Sequence, residues 1–135
     1  MLLRAHNSIF DTPRARVVVL NEHNEILLTR SWTGVQKWEL PGGGVERKED
    51  PKAAAKRELR EETGIDMPLE TFRFAGVIGQ DYTAHIFAVE VTRSALPADL
   101  HNPWEITAAA WYPIESLPET TPLAAWAIEI VSKMR

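Results

Sequence analysis

The sequence predicts an α/β fold, an α/β/α sandwich with a central mixed sheet, and three observations lead to it. Strand-like and helix-like stretches follow one another as strands, helix, strands, helix, which places a helix on each face of one sheet. Both helical stretches are punctuated, with Asp50-Pro51 and Thr121-Pro122 at their starts and Gly64 after the first. The run ARVVVL at Ala15 to Leu20 is apolar on nearly both faces, as in a strand covered above and below. At 135 residues the chain can bury one core but not two, so a single domain over residues 1–135 is expected. The order of elements alone also fits other α+β arrangements.

In chain order, a polar lead broken by Pro13 precedes that first strand. The turn cluster Asn21 to Asn24 joins it to a second, Glu25 to Ser31 (EILLTRS), as a hairpin or as neighbours. Arg30 emerges at the end of this strand, either as a solvated terminus or as a phosphate clamp. A loop, Ser31 to Lys37, and the segment Trp38 to Pro41 lead into Gly42-Gly43-Gly44, where backbone without side chains can approach a ligand closely.

The first helix covers Lys52 to Thr63, about three turns, with Asp50 as N-cap, Pro51 at the first position and Gly64 as the left-handed stop. Ala53, Ala54, Ala55 and Leu59 give it a small-residue side that packs close to a sheet. Two further strands, Phe72 to Gly79 and Thr83 to Val91, are joined by Gln80-Asp81-Tyr82, short enough for a hairpin. A loop rich in Pro, Asp, Asn and His, Thr92 to Pro103, suits substrate contacts. Ala108 to Pro113 is the last strand. Thr121 and Pro122 then open a helix whose stripe Leu123, Trp126, Ala127, Ile130, Val131 and Met134 is expected to pack on the core.

Composition narrows the function. A net charge of −4 argues against holding nucleic acid by phosphate neutralisation, although it leaves nucleotides open, since a metal site can carry the positive charge. The absence of cysteine excludes a disulfide framework, thiolate metal sites and thiol catalysis. No apolar run approaches a membrane span, and Met1 to Ala15 lacks the apolar core of a leader. The expectation is a cytoplasmic, non-membrane protein.

The chemistry concentrates on the first helix. Glu58, Glu61 and Glu62 stand at i, i+3 and i+4, three carboxylates on one face and in the last turns, where the helix dipole is negative. Each such anion costs roughly 0.3–1 kcal/mol, and like charges one turn apart cost a few tenths more. A solvated acidic face is the bland explanation; a hard divalent cation held by oxygen ligands explains the clustering better, because it turns repulsion into coordination. Neither Glu61 nor Glu62 is expected to need burial. Beside a glycine turn, bound magnesium or manganese would neutralise a diphosphate and promote attack of water at phosphorus.

Gly43, Glu49, Arg57-Glu58-Leu59, Glu61-Glu62 and Gly64-Ile65, at these spacings within 23 residues, resemble the signature of the Nudix hydrolases. The resemblance selects the α/β/α sandwich and implies hydrolysis of a nucleoside diphosphate linked to another moiety, with Mg2+ or Mn2+ as cofactor. It implies Gly42 (through its carbonyl), Glu61 and Glu62 as metal ligands and Glu58 as ligand or general base. It casts Arg57 and Glu49 as the pair that orients those carboxylates. A further carboxylate commonly lies six residues before a tryptophan, which makes Glu105, six before Trp111, a candidate ligand or base. Lys48 stands where the family often has a further glycine, which affects loop shape and not the ligands.

Base recognition is less specific. Trp32, Trp38, Trp104 and Tyr82 are candidates to stack on a purine, with Trp38 equally a core residue. Tyr82 lies near where dinucleoside polyphosphate hydrolases of the family carry a tyrosine. Asp81, in place of a proline, counts against the ADP-ribose branch, and the uninterrupted Pro41-Gly42-Gly43 counts against the RNA-decapping type. The leading expectation is a nucleotide pyrophosphatase with a house-cleaning role toward noncanonical or excess nucleotides, taking a small-molecule substrate. The alternatives are a dinucleoside polyphosphate hydrolase and a non-catalytic nucleotide-sensing module, which the intact Glu58, Glu61 and Glu62 speak against. Homodimerisation is left open.

Overall fold

The computed structural model describes residues 12–31, 37–79, 83–97, 106 and 108–135. Within them the chain forms β1 (Arg14–Leu20), β2 (Glu25–Arg30), β3 (Gly42–Gly44), α1 (Pro51–Thr63), β4 (Arg73–Gly79), β5 (Thr83–Glu90), β6 (Ala108–Pro113) and α2 (Pro122–Ser132). All six strands join one sheet in the order β4-β5-β1-β2-β6, with β3 also paired to β1. β1 and β5 run parallel from Arg14↔Ala84 to Leu20↔Glu90, and the other pairings are antiparallel, so the sheet is mixed as expected.

The two faces of β1 explain why its sequence is apolar throughout. Ala15, Val17 and Val19 pack with Leu27, Phe87 and Val89 under Ala54, Ala55 and Leu59 of α1. Val18 and Leu20 pack with Ile26, Leu28, Ile86 and Ala88 under α2. At roughly 25 cal/mol per Å2 of apolar surface, these two layers are the main stabilising contribution of the fold. No helix of the described residues is long and apolar enough to cross a membrane.

Two details differ from the sequence reading. The glycine triplet, expected as a turn, is the strand β3, pairing Arg14↔Gly44, Ala15↔Gly43 and Arg16↔Gly42. The first half of β1 has no β2 residue beside it, since the β1–β2 register begins at Leu20↔Ile26, and the triplet satisfies that open edge. In α2 the buried residues are Leu123, Ala124, Ala127, Ile128 and Val131, while Trp126 and Met134 are 44% and 40% exposed. Small Ala124 and Ala127 sit against the sheet, which rolls the helix and turns the larger side chains outward.

Candidate functional site

The local chemistry of α1 places the site. The Asp50 side chain accepts the Lys52 N–H at 2.8 Å, Pro51 occupies the first turn, and Gly64 ends the helix at φ 82 with its N–H on the Arg60 carbonyl. Between these caps, Glu58, Glu61 and Glu62 share one face but meet three environments. Glu62 is buried, 6% exposed, and its Oε1 accepts the Gly42 backbone N–H at 3.0 Å. The Glu58 carboxylate occupies the space where a Cβ on Gly43 would lie, about 2.7 Å from that position. Glu61 points outward, half exposed, and accepts Arg57 Nη1 at 3.1 Å.

Burial of Glu62 was not expected, because helix spacing says which residues share a face and not how deep each one sits. β3 decides the depth. Gly42 lies at φ 147, and a Cβ there would overlap the Ala15 carbonyl and crowd Arg16. The absence of side chains at Gly42 and Gly43 lets the β3 backbone press against the end of α1 and enclose Glu62.

Arg57 organises the cluster. Its Nε and Nη2 grip both oxygens of Glu49 at 2.8 and 2.9 Å, Nη1 bonds Glu58 at 2.9 Å and Glu61 at 3.1 Å, and Nη2 also reaches the Gly44 carbonyl at 3.1 Å. The Arg57 hydrogen bond holds Glu49 below the usual carboxylate range, and Glu49 in turn raises Arg57. The Glu62 carboxyl is pushed up to about 8, first by burial. The Gly42 N–H opposes that shift, the Glu58 charge adds to it, the Arg16 charge opposes it, and a hydrogen bond to Glu58 adds again. Two carboxylates this close, one buried, call for a shared proton or a cation.

Glu58, Glu62 and the Gly42 carbonyl present oxygen donors alone, which suits a hard cation such as magnesium or manganese. Among the described residues no group of three or more His, Cys, Asp or Glu is drawn together to hold a metal, and Glu61 accepts from Arg57. The approach of Glu58 to Gly43, the bond from Gly42 to Glu62 and the raised Glu62 carboxyl fit a site for such a cation.

On the β2 side, the Arg30 guanidinium lies 4.8 Å from the Trp38 ring centroid, and Trp38 meets Tyr112 edge-on at 5.1 Å. Arg30 and Trp38 thus come together, with Tyr112 as a third member that the sequence reading did not single out. Trp38 also packs against the α2-side core. Tyr82 and Glu105, like Trp32 and Trp104, lie outside the described residues. Lys48 adopts φ 65, the left-handed conformation that makes glycine frequent at such a position.

One residue was missed altogether. Arg16, on the β1 face that also carries Val18 and Leu20, donates through Nη1 to the carbonyls of Leu40 at 3.1 Å and Gly42 at 3.3 Å. Among the described residues its Nε is buried without a hydrogen-bond partner, which costs about 1–3 kcal/mol. The signal was present in the sequence as the one charge inside ARVVVL.

The family model described as the NUDIX domain matches residues 11–134. An RNA pyrophosphohydrolase of Roseobacter denitrificans is 45% identical over 58 residues, covering 42% of this chain and 36% of that protein. The human 8-oxo-dGDP phosphatase NUDT18 is 35% identical over 112 residues, covering 80% of this chain and 33% of its own. The chain thus spans about a third of the length of these two curated relatives. A crystal structure of a MutT NUDIX hydrolase from Burkholderia pseudomallei superposes with a TM-score of 0.76 at 22% identity, covering 90% of this chain and 98% of the other, which is a likeness of fold. With the family model spanning nearly all of its length, and with Glu58 and Glu62 of the signature meeting β3, the chain belongs to the Nudix family.

Proposed function

We propose that this chain is a metal-dependent hydrolase of the phosphoanhydride in a nucleoside diphosphate linked to another moiety. The observation that carries this reading is the meeting of Glu58 and Glu62 at Gly42 and Gly43, with Arg57 binding Glu58 and Glu61. Two relatives, by name a pyrophosphohydrolase and a dGDP phosphatase, support the same reaction class.

The Gly42 carbonyl, Glu58, Glu61 and Glu62 are the residues to hold magnesium or manganese, with Glu105 as a further candidate. When bound, the cation neutralises the diphosphate and supplies Lewis acidity at phosphorus. The chain's own residues do the rest. Arg57 keeps Glu58 and Glu61 in place against their mutual repulsion, and Glu49 keeps Arg57 in place. Glu62, its carboxyl raised by burial, would give up its proton on holding the cation. Glu58, beside backbone that bears no side chain, is the candidate to take the proton of the attacking water. Arg30 and Trp38 are the candidate contacts to phosphate and base.

The test is release of phosphate or pyrophosphate from a panel of nucleotides with magnesium and with manganese. The wild type releases one or both. Glu61→Gln and Glu62→Gln lower turnover by several orders of magnitude while circular dichroism is unchanged. Full activity in both variants would reject the assignment.

A further inference from the structure

Arg57 is committed to Glu49, Glu58, Glu61 and the Gly44 carbonyl, so it has nothing to offer an incoming anion. Arg16 is in the opposite position. Among the described residues its hydrogen-bond acceptors are the Leu40 and Gly42 carbonyls, both on Nη1, and Nε is a buried donor with no partner. In a guanidinium, Nε–H and the near N–H of Nη2 form one edge, parallel donors spaced for two oxygens of a single phosphate or carboxylate. Arginine cannot shed its proton to escape burial. Among the described residues nothing supplies an acceptor to this donor, which leaves a ligand oxygen as its complement.

Position indicates what that is. Gly42 gives its carbonyl to Arg16 Nη1 and its N–H to Glu62, so the Arg16 guanidinium lies one residue from the carboxylate centre. Nη1, tied to two carbonyls, holds the guanidinium plane still before any ligand arrives, which lowers the entropy lost on binding. We propose that Arg16 is a phosphate-binding residue of this site, taking two non-bridging oxygens of the substrate diphosphate on its Nε–Nη2 edge. The proposal rests on the diphosphate-hydrolase reading above and assigns one of its substrate contacts.

Arg16→Lys is the discriminating variant. A lysine ammonium keeps the charge and can still donate to the Leu40 and Gly42 carbonyls, but it has no second edge. Calorimetric titration with α,β-methylene-ADP in magnesium is expected to give binding weaker by about tenfold or more, with KM raised in proportion. Manganese affinity without nucleotide, read by electron paramagnetic resonance, and the melting temperature should stay near wild type. Arg16→Gln, which also keeps a carbonyl contact, repeats the comparison should the lysine variant fold poorly.

Wild-type affinity for α,β-methylene-ADP in Arg16→Lys would overturn the proposal and leave Arg16 as an anchor for the two carbonyls. So would a loss of manganese affinity parallel to the loss of nucleotide, which would make Arg16 a positioning residue for Gly42. These outcomes leave the hydrolase reading standing as long as the wild type turns over a nucleotide. A wild type that neither binds the analogue nor hydrolyses any nucleotide of the panel would remove both.

Discussion

Arg57 and Glu49 are joined by two parallel hydrogen bonds, Nε to Oε2 at 2.8 Å and Nη2 to Oε1 at 2.9 Å, and this pair fixes the guanidinium that binds Glu58 and Glu61. A lysine at 57 has its three donors on one nitrogen and lacks the planar fork that grips both oxygens of Glu49 while reaching Glu58 and Glu61. Arg57→Lys should lower manganese affinity or turnover by roughly 10–100-fold, the usual consequence of losing a group that orients ligands. Manganese titration and steady-state rates on the same preparation would check this, and an unaltered pair of values would show that the ion pair serves the helix alone.

Gly43 leaves room for a carboxylate. A Cβ there would come within about 2.7 Å of the Glu58 carboxylate, the far end of a flexible side chain that can swing away. Gly43→Ala should therefore displace Glu58 at little cost to the fold, lowering turnover by about tenfold or more, with a melting temperature within ~2 °C of wild type. Unchanged turnover would mean that the position of Glu58 is not critical.

Glu62 makes stability depend on pH. Its carboxyl titrates near 8 in the folded chain against an ordinary value of 4.5, so between those values the folded state holds a proton that the unfolded state has released. In chelator, stability should fall as pH rises through that window, by an amount on the order of 2–4 kcal/mol. Glu62→Gln should flatten the curve. Urea unfolding from pH 5 to 9 measures it, and an equal slope in the variant would assign the dependence to other groups.

Lys48 holds the left-handed conformation at φ 65 in the loop before α1. That conformation costs an ordinary residue about 1–2 kcal/mol, partly offset in glycine by its greater freedom when unfolded. Lys48→Gly should stabilise the protein by about 0.5–1 kcal/mol, with a rise in melting temperature of a few degrees. Differential scanning calorimetry would detect the change; a decrease would mean that the lysine side chain makes a compensating contact.

What the sequence disclosed, and what it did not, follows from how local each signal is. The ends of α1 were legible because capping is short-range: Asp50 meets Lys52, and Gly64 meets Arg60. The apolar run of β1 likewise predicts that both of its faces are covered. The depth of Glu62 was not legible, because it depends on β3 lying against α1, a contact between residues 20 apart. Nor was β3 itself, since glycine has little strand preference and pairs here because β1 offers an open edge. Arg16 was passed over inside a hydrophobic run, and the roll of α2 depended on Ala124 and Ala127 fitting the sheet more closely than Trp126 could.

The central claim is that the Glu58–Glu62 cluster exists to hold a divalent cation. Titration of the purified chain with manganese, followed by electron paramagnetic resonance, tests it most directly. The account predicts saturable uptake at millimolar concentrations or below, lost or greatly weakened in Glu58→Gln and Glu62→Gln. Absence of uptake by the wild type, with and without a nucleotide analogue, would contradict it.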